Sequence, residues 1–230
     1  MTLNEVMAEL KRMGTAQNVK IYKRHGAGDN LFGVSFANLG TLKKKLKVNH
    51  ELALQLWDTG NTDAQTLATM IVDPAQMSAT LIDRWVSGIN YYLLSDLVSS
   101  VAARTPFAKK KIEQWMASKK EYIRATGYSG LASALKDGCE DIGDADCRRY
   151  LKKIVSEIHK SPNRARHAMN GALIAIGIYR PQLTEEALAA AAKIGPVEVD
   201  HGETSCKTPA AAPYIEKALK RKPRRPRVKC

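Results

Sequence analysis

Nearly every stretch of this chain repeats its apolar residues at helical spacing, and almost none alternates as a strand would. Leu3, Val6, Met7 and Leu10 make one stripe, and Ile82, Trp85, Val86 and Ile89 another. Leu93, Leu94, Leu97, Val98 and Val101 continue the pattern, and DAQTLATMI follows the cap-like Asn61-Thr62. The spacing predicts further helices over 107–117, 121–136, 144–158, 163–178, 183–194 and 210–221. Breakers fall between them at Asp73-Pro74, Thr105-Pro106, Ser161-Pro162, Arg180-Pro181 and Gly195-Pro196. Only the short VEV at 197–199 has strand character. Helices of about three turns joined by shorter loops favour antiparallel pairs, and the pair spacing is near ~40 residues. The expected fold is therefore all-α, either a globular bundle or, in preference, an α-solenoid of antiparallel helix pairs.

Charge narrows the partners. The 230 residues carry 36 Lys+Arg against 23 Asp+Glu, a net +13. Eight of those cations lie in the acid-free stretch KALKRKPRRPRVKC, which leaves +5 for residues 1–216. Pro223 and Pro226 oppose a helix there, so we expect a folded domain over 1–216 and a disordered basic tail over 217–230. Within the domain, basic clusters recur at Lys43, Lys44, Lys45 and Lys47; at Lys109, Lys110 and Lys111; and at Lys119, Lys120 and Arg124. Two more lie at Arg148, Arg149 and Lys152, and at Arg164 and Arg166. Each alone reads most simply as a solvated helix face. Their recurrence near helix ends suggests a stripe of phosphate contacts on the concave side of a solenoid, with double-stranded DNA as partner.

Other signals are weaker. Cys139, Cys147, Cys206 and Cys230 form no CxxC pair, and no signal peptide or membrane-length apolar run is present. We expect a monomeric cytoplasmic protein with no membrane contact, whose cysteines are packing residues rather than a Cys139–Cys147 disulfide. No GxGxxG or P-loop run suggests a nucleotide, and no cofactor is expected. Asp200, His201, Glu203 and Cys206 are close in sequence but match no strong metal pattern, so we expect no metal site and an ordered, locally hydrogen-bonded loop. His25, His50, His159 and His167 are scattered, and Trp57, Trp85 and Trp115 lie on core stripes.

Four segments carry a more specific likeness: LALQLWDTGNTDAQTLATMIVDP (52–74), RWVSGINYYLLSDLV (84–98), EYIRATGYSGLASAL (121–135) and the run from Arg164 to Pro209. Together they resemble the DNA alkylation repair family of HEAT-like DNA glycosylases. The resemblance implies a HEAT-like solenoid holding DNA on a concave basic face. It also implies excision of cationic N3- or N7-alkylpurines. A charged base is a good leaving group, so one carboxylate near the anomeric carbon can stabilise the sugar cation and orient water. Carried over, that carboxylate is Asp96, with Tyr92 four residues earlier on the same helix face.

Three positions depart from the family pattern. Tyr92 stands where the glycosylases have Trp, Ala125 where they have a catalytic Arg, and Gly171 where they have a second Trp. Arg124 is adjacent to the missing Arg, but one residue turns a helix by about 100°, so it should point elsewhere. DNA binding needs none of the three. The expectations are a DNA repair protein that excises alkylpurines, a non-catalytic binder of damaged or branched DNA, and, less favoured, a protein–protein scaffold.

Overall fold

The computed structural model describes residues 1–220, and the basic segment from 221 onward lies outside them. Among the described residues there are thirteen α-helices and no strand beyond an isolated bridge between Gly14 and Val34. They are α1 (Leu3–Met13), α2 (Ala16–Arg24), α3 (Phe36–Leu46), α4 (His50–Asp58), α5 (Thr62–Ile71), α6 (Ala79–Ser87), α7 (Tyr92–Ala102), α8 (Ala108–Met116), α9 (Glu121–Lys136), α10 (Asp144–Glu157), α11 (Asn163–Tyr179), α12 (Thr184–Ile194) and α13 (Ala211–Lys220). The six helices predicted from residue 107 onward all form within two residues of their expected ends. VEV at 197–199 is extended loop, because no second segment lies beside it to pair.

Sequence explains how the helices start. Thr2, Thr15, Ser35, Asn49, Asn61 and Ser78 each cap α1 to α6 by accepting a bond from the first turn. From α7 to α12 no side-chain cap of this kind is made. At α11 a neighbouring helix does the work: Glu121 Oε1 accepts from the Arg164 backbone N–H at 2.6 Å.

Two apolar cores fill the stack. The first joins α1 and α3 through α7 with Trp115 of α8, and in it the Trp57 and Trp85 rings stack with centroids 4.1 Å apart. Such a pair adds about 1 kcal/mol beyond its buried area. The second joins α8 through α13. All three tryptophans are buried, as their stripes predicted. Asp63 is buried too, and accepts from the backbone N–H groups of Phe32, Gly33 and Val34 at 2.6, 3.0 and 2.8 Å. It thereby docks the loop before α3 onto α5 without leaving those donors orphaned.

The packing sorts the later helices into two rows. α5, α7, α9, α11 and α13 follow one another side by side, each packed against the next. Their partners α4, α6, α8, α10 and α12 flank them, and of these only α10 and α12 come backbone-close to each other. A stack whose inner row is drawn close while its outer row splays must curve toward the inner row. This is the helix-pair solenoid, and the small residues of the inner row permit it. At Gly127 an added Cβ would lie 2.5 Å from the Met116 backbone nitrogen, and at Gly177 one would lie 2.6 Å from Ile215 Cδ1.

Candidate functional site

The inner row places Tyr92 and Asp96 on α7, Ser129 on α9, and Arg164, His167 and Gly171 on α11. Asp96 Oδ1 accepts from Ser129 Oγ at 2.8 Å. The residue is exposed to water, yet the protein around it pushes its carboxyl pKa above the usual range. The Ser129 bond and the Arg164 charge act in the opposite direction. A side chain that is wet and yet partly desolvated lies on the floor of a recess.

Arg164 is the cation of that recess. Its guanidinium carbon sits 4.5 Å from the centre of the Tyr92 ring, within cation–π range. It has no ion pair among the described residues. The Tyr92 hydroxyl shares a 3.0 Å hydrogen bond with His25 Nδ1 at the end of α2. Ala125, at the family's Arg position, is buried, and Arg124 turns away as expected. Arg124 donates to Glu157, to Ser161 Oγ and to the Met116 carbonyl. At Gly171 an added Cβ would meet nothing within 4 Å, so the place of the family's second Trp is open space.

The loop from 197 to 209 crosses to this site. Asn163 and Asp200 exchange two 2.7 Å bonds, Arg166 donates to the Glu198 carbonyl, and Asn170 donates to the Pro209 carbonyl. His201 bonds Thr208 Oγ1 at 3.0 Å and meets the His167 ring edge to face, with centroids 5.4 Å apart. Among these only the His201–Thr208 bond is of the local kind expected, and the others tie the loop to α11. Among the described residues no three His, Cys, Asp or Glu side chains converge as metal ligands would. The gathering of His25, His167 and His201 around Tyr92 was missed in the sequence. Those residues lie far apart along the chain, and helical period says nothing about where a loop returns.

Of the other predicted cations, some meet acids and others do not. On the outer row, Asp83 of α6 pairs with Lys111 of α8 and also accepts from Trp115 Nε1. Lys109 and Glu113 of α8 pair with Asp146 and Arg149 of α10, and Arg148 of α10 pairs with Glu186 of α12. Lys111 is buried. By contrast Lys43, Lys44, Lys45, Lys47, Lys110, Lys119, Lys120 and Lys152 are exposed and form no ion pair among the described residues. Cys139, Cys147 and Cys206 are free thiols. No helix among the described residues is long and apolar enough to cross a membrane.

A curved stack of helix pairs with an open inner recess defines a HEAT-like repeat protein. Residues 6–214 match the family model described as DNA alkylation repair enzyme, and the chain belongs to that family. It is 30% identical to the uncharacterized protein Lin0241 of Listeria innocua serovar 6a, over 96% of this chain and 98% of that one. It is 28% identical, over the same shares, to the uncharacterized protein Lmo0209 of Listeria monocytogenes serovar 1/2a. A solved structure superposes with a TM-score of 0.88 at 33% identity, covering 96% of this chain and 95% of its own. That structure is described as a new family of proteins related to the HEAT-like repeat DNA glycosylases with affinity for branched DNA structures.

Proposed function

We propose that this chain is a DNA repair protein that binds branched or damaged duplex DNA along its inner face. The observation that carries the reading is the recess on α7, α9 and α11, where Arg164 stands unpaired over Tyr92 beside Asp96. A half-buried cation without an ion pair and a flat ring on a concave surface suit a phosphate and its sugar. The exposed lysines of α3 and of the loop before α9 extend the attraction. The described affinity of the structural relative for branched DNA supports the choice of substrate shape. Gel-shift titration should give saturable binding to a four-way junction, tighter than to linear duplex of the same arms and weakening steeply with salt. Absence of binding at low salt would remove the reading.

A second reading, excision of cationic alkylpurines, is favoured by Asp96. Its carboxyl is open to solvent and lies near a cation, as a group stabilising a sugar cation must be. The buried Ala125 and the empty place at Gly171 weigh against it. Base release from N-methylated DNA, abolished by Asp96→Asn, would establish excision. Because burial raises the Asp96 pKa, the active carboxylate is lost as pH falls through that raised value, and release should fall with it. No release at high protein concentration leaves binding alone.

A further inference from the structure

The groups around the Tyr92 ring form a second feature that the Asp96 chemistry does not use. His25 at the end of α2 bonds the Tyr92 hydroxyl, His167 on α11 packs against His201 of the 197–209 loop, and that loop reaches the end of α2, where a Cβ added at Gly202 would lie 3.5 Å from the Arg24 carbonyl. Arg164 lies on the ring itself, and its charge reaches both His167 and His201. His25 also acts on His201, so the cluster is continuous from α2 to the loop. His167 Nδ1 is buried and has no hydrogen-bond partner.

Three acids border this set, and none of them forms an ion pair with Arg164 or the histidines among the described residues. Glu121 on α9 is engaged by the Arg164 backbone N–H. Asp200 in the loop accepts from the Gly202 N–H at 2.7 Å. Asp96 on α7 is held by Ser129. The remaining neighbours are Cys206 and the phenols of Tyr91, Tyr92 and Tyr122, whose burial pushes their pKa values up and keeps them neutral. A permanent cation ringed by imidazoles that can each accept a proton is the chemistry of a phosphate site.

We propose that Arg164, His201 and His25, arranged around Tyr92 with His167 behind, form a subsite that holds one backbone phosphate of bound DNA. The proposal rests on the DNA-binding reading and adds to it a fixed point of contact and a proton. Burial and Arg164 hold the His167 and His201 pKa values down, so both rings are neutral near pH 7 in the free protein. A phosphate favours their charged forms. Binding therefore takes up protons, and affinity must rise as pH falls toward the histidine range.

The test is a histidine NMR titration of the full chain, free, with inorganic phosphate, and with a four-way junction. The junction should raise the pKa of His201 and move the ring signals of His25, and inorganic phosphate alone should move the same signals. Junction affinity should increase by roughly threefold or more from about pH 7.5 to about pH 6, and Arg164→Gln should remove that gain and weaken binding by roughly fivefold. Asp96 also takes up a proton on acidification, so the affinity series is repeated on Asp96→Asn, where the gain should persist. DNA that binds with steep salt dependence but leaves the histidine titrations unmoved overturns the subsite and spares the DNA-binding reading. Failure of any DNA to bind strikes that reading instead. Histidines that respond to inorganic phosphate but not to bound DNA overturn the assignment to a backbone phosphate.

Discussion

The inner and outer rows of this solenoid use charge in opposite ways. On the outer row, cations and acids meet between successive pairs: Asp58 with Arg84, Asp83 with Lys111, Asp146 with Lys109, Glu113 with Arg149 and Glu186 with Arg148. Apolar contact joins these helices as well, as in the Trp57–Trp85 stack between α4 and α6, but their charged side chains meet in pairs. On the inner row the helices pack through small and apolar residues, and Arg164 is left to face the recess. The lesson is that a basic cluster counts toward a polyanion only after its local partners are subtracted. The net +13 overstates what the folded surface offers.

The comparison can be broken most forcefully at Lys111. Lys111→Ala leaves Asp83 without its buried partner and should cost about 3 kcal/mol in urea unfolding, with junction affinity unchanged in the folded fraction. A loss of affinity without a loss of stability would place Lys111 in the DNA contact after all. Replacing Lys43, Lys44, Lys45 and Lys47 together with Ala should weaken junction binding by roughly tenfold or more. It should also reduce the log–log salt slope by about 3 to 4 if each lysine meets a phosphate. Stability should hardly move, since these side chains are exposed. The smallest effect is expected at Arg148→Ala, where loss of the exposed pair to Glu186 should leave the urea midpoint almost unmoved and change affinity by less than about twofold.

Much of the fold was legible in advance, and the reason is local. α9 forms over 121–136 as predicted because its apolar period is unbroken, and α11 stops where Arg180-Pro181 ends it. The Tyr92–Asp96 face was legible because i, i+4 spacing fixes it within one helix. Arg124, expected either to meet phosphate with its cluster or to point away, is engaged by Glu157, Ser161 and the Met116 carbonyl. The partners were not legible. Lys109, Lys111, Arg148 and Arg149 look alike in sequence to Lys43 or Lys119. Only the register between neighbouring pairs decides which of them meets an acid. The histidine cluster escaped for a related reason: it is assembled by a loop that returns across more than a hundred residues of chain to α2.

Hydrogen exchange of the full chain with and without a four-way junction tests the central claim most directly, because it asks which row the DNA covers. The account predicts added protection in the first turns of α7 and α11, along α9 near Ser129 and in the 197–209 loop, with α8, α10 and α12 unchanged. Protection confined to α8, α10 and α12 would contradict it.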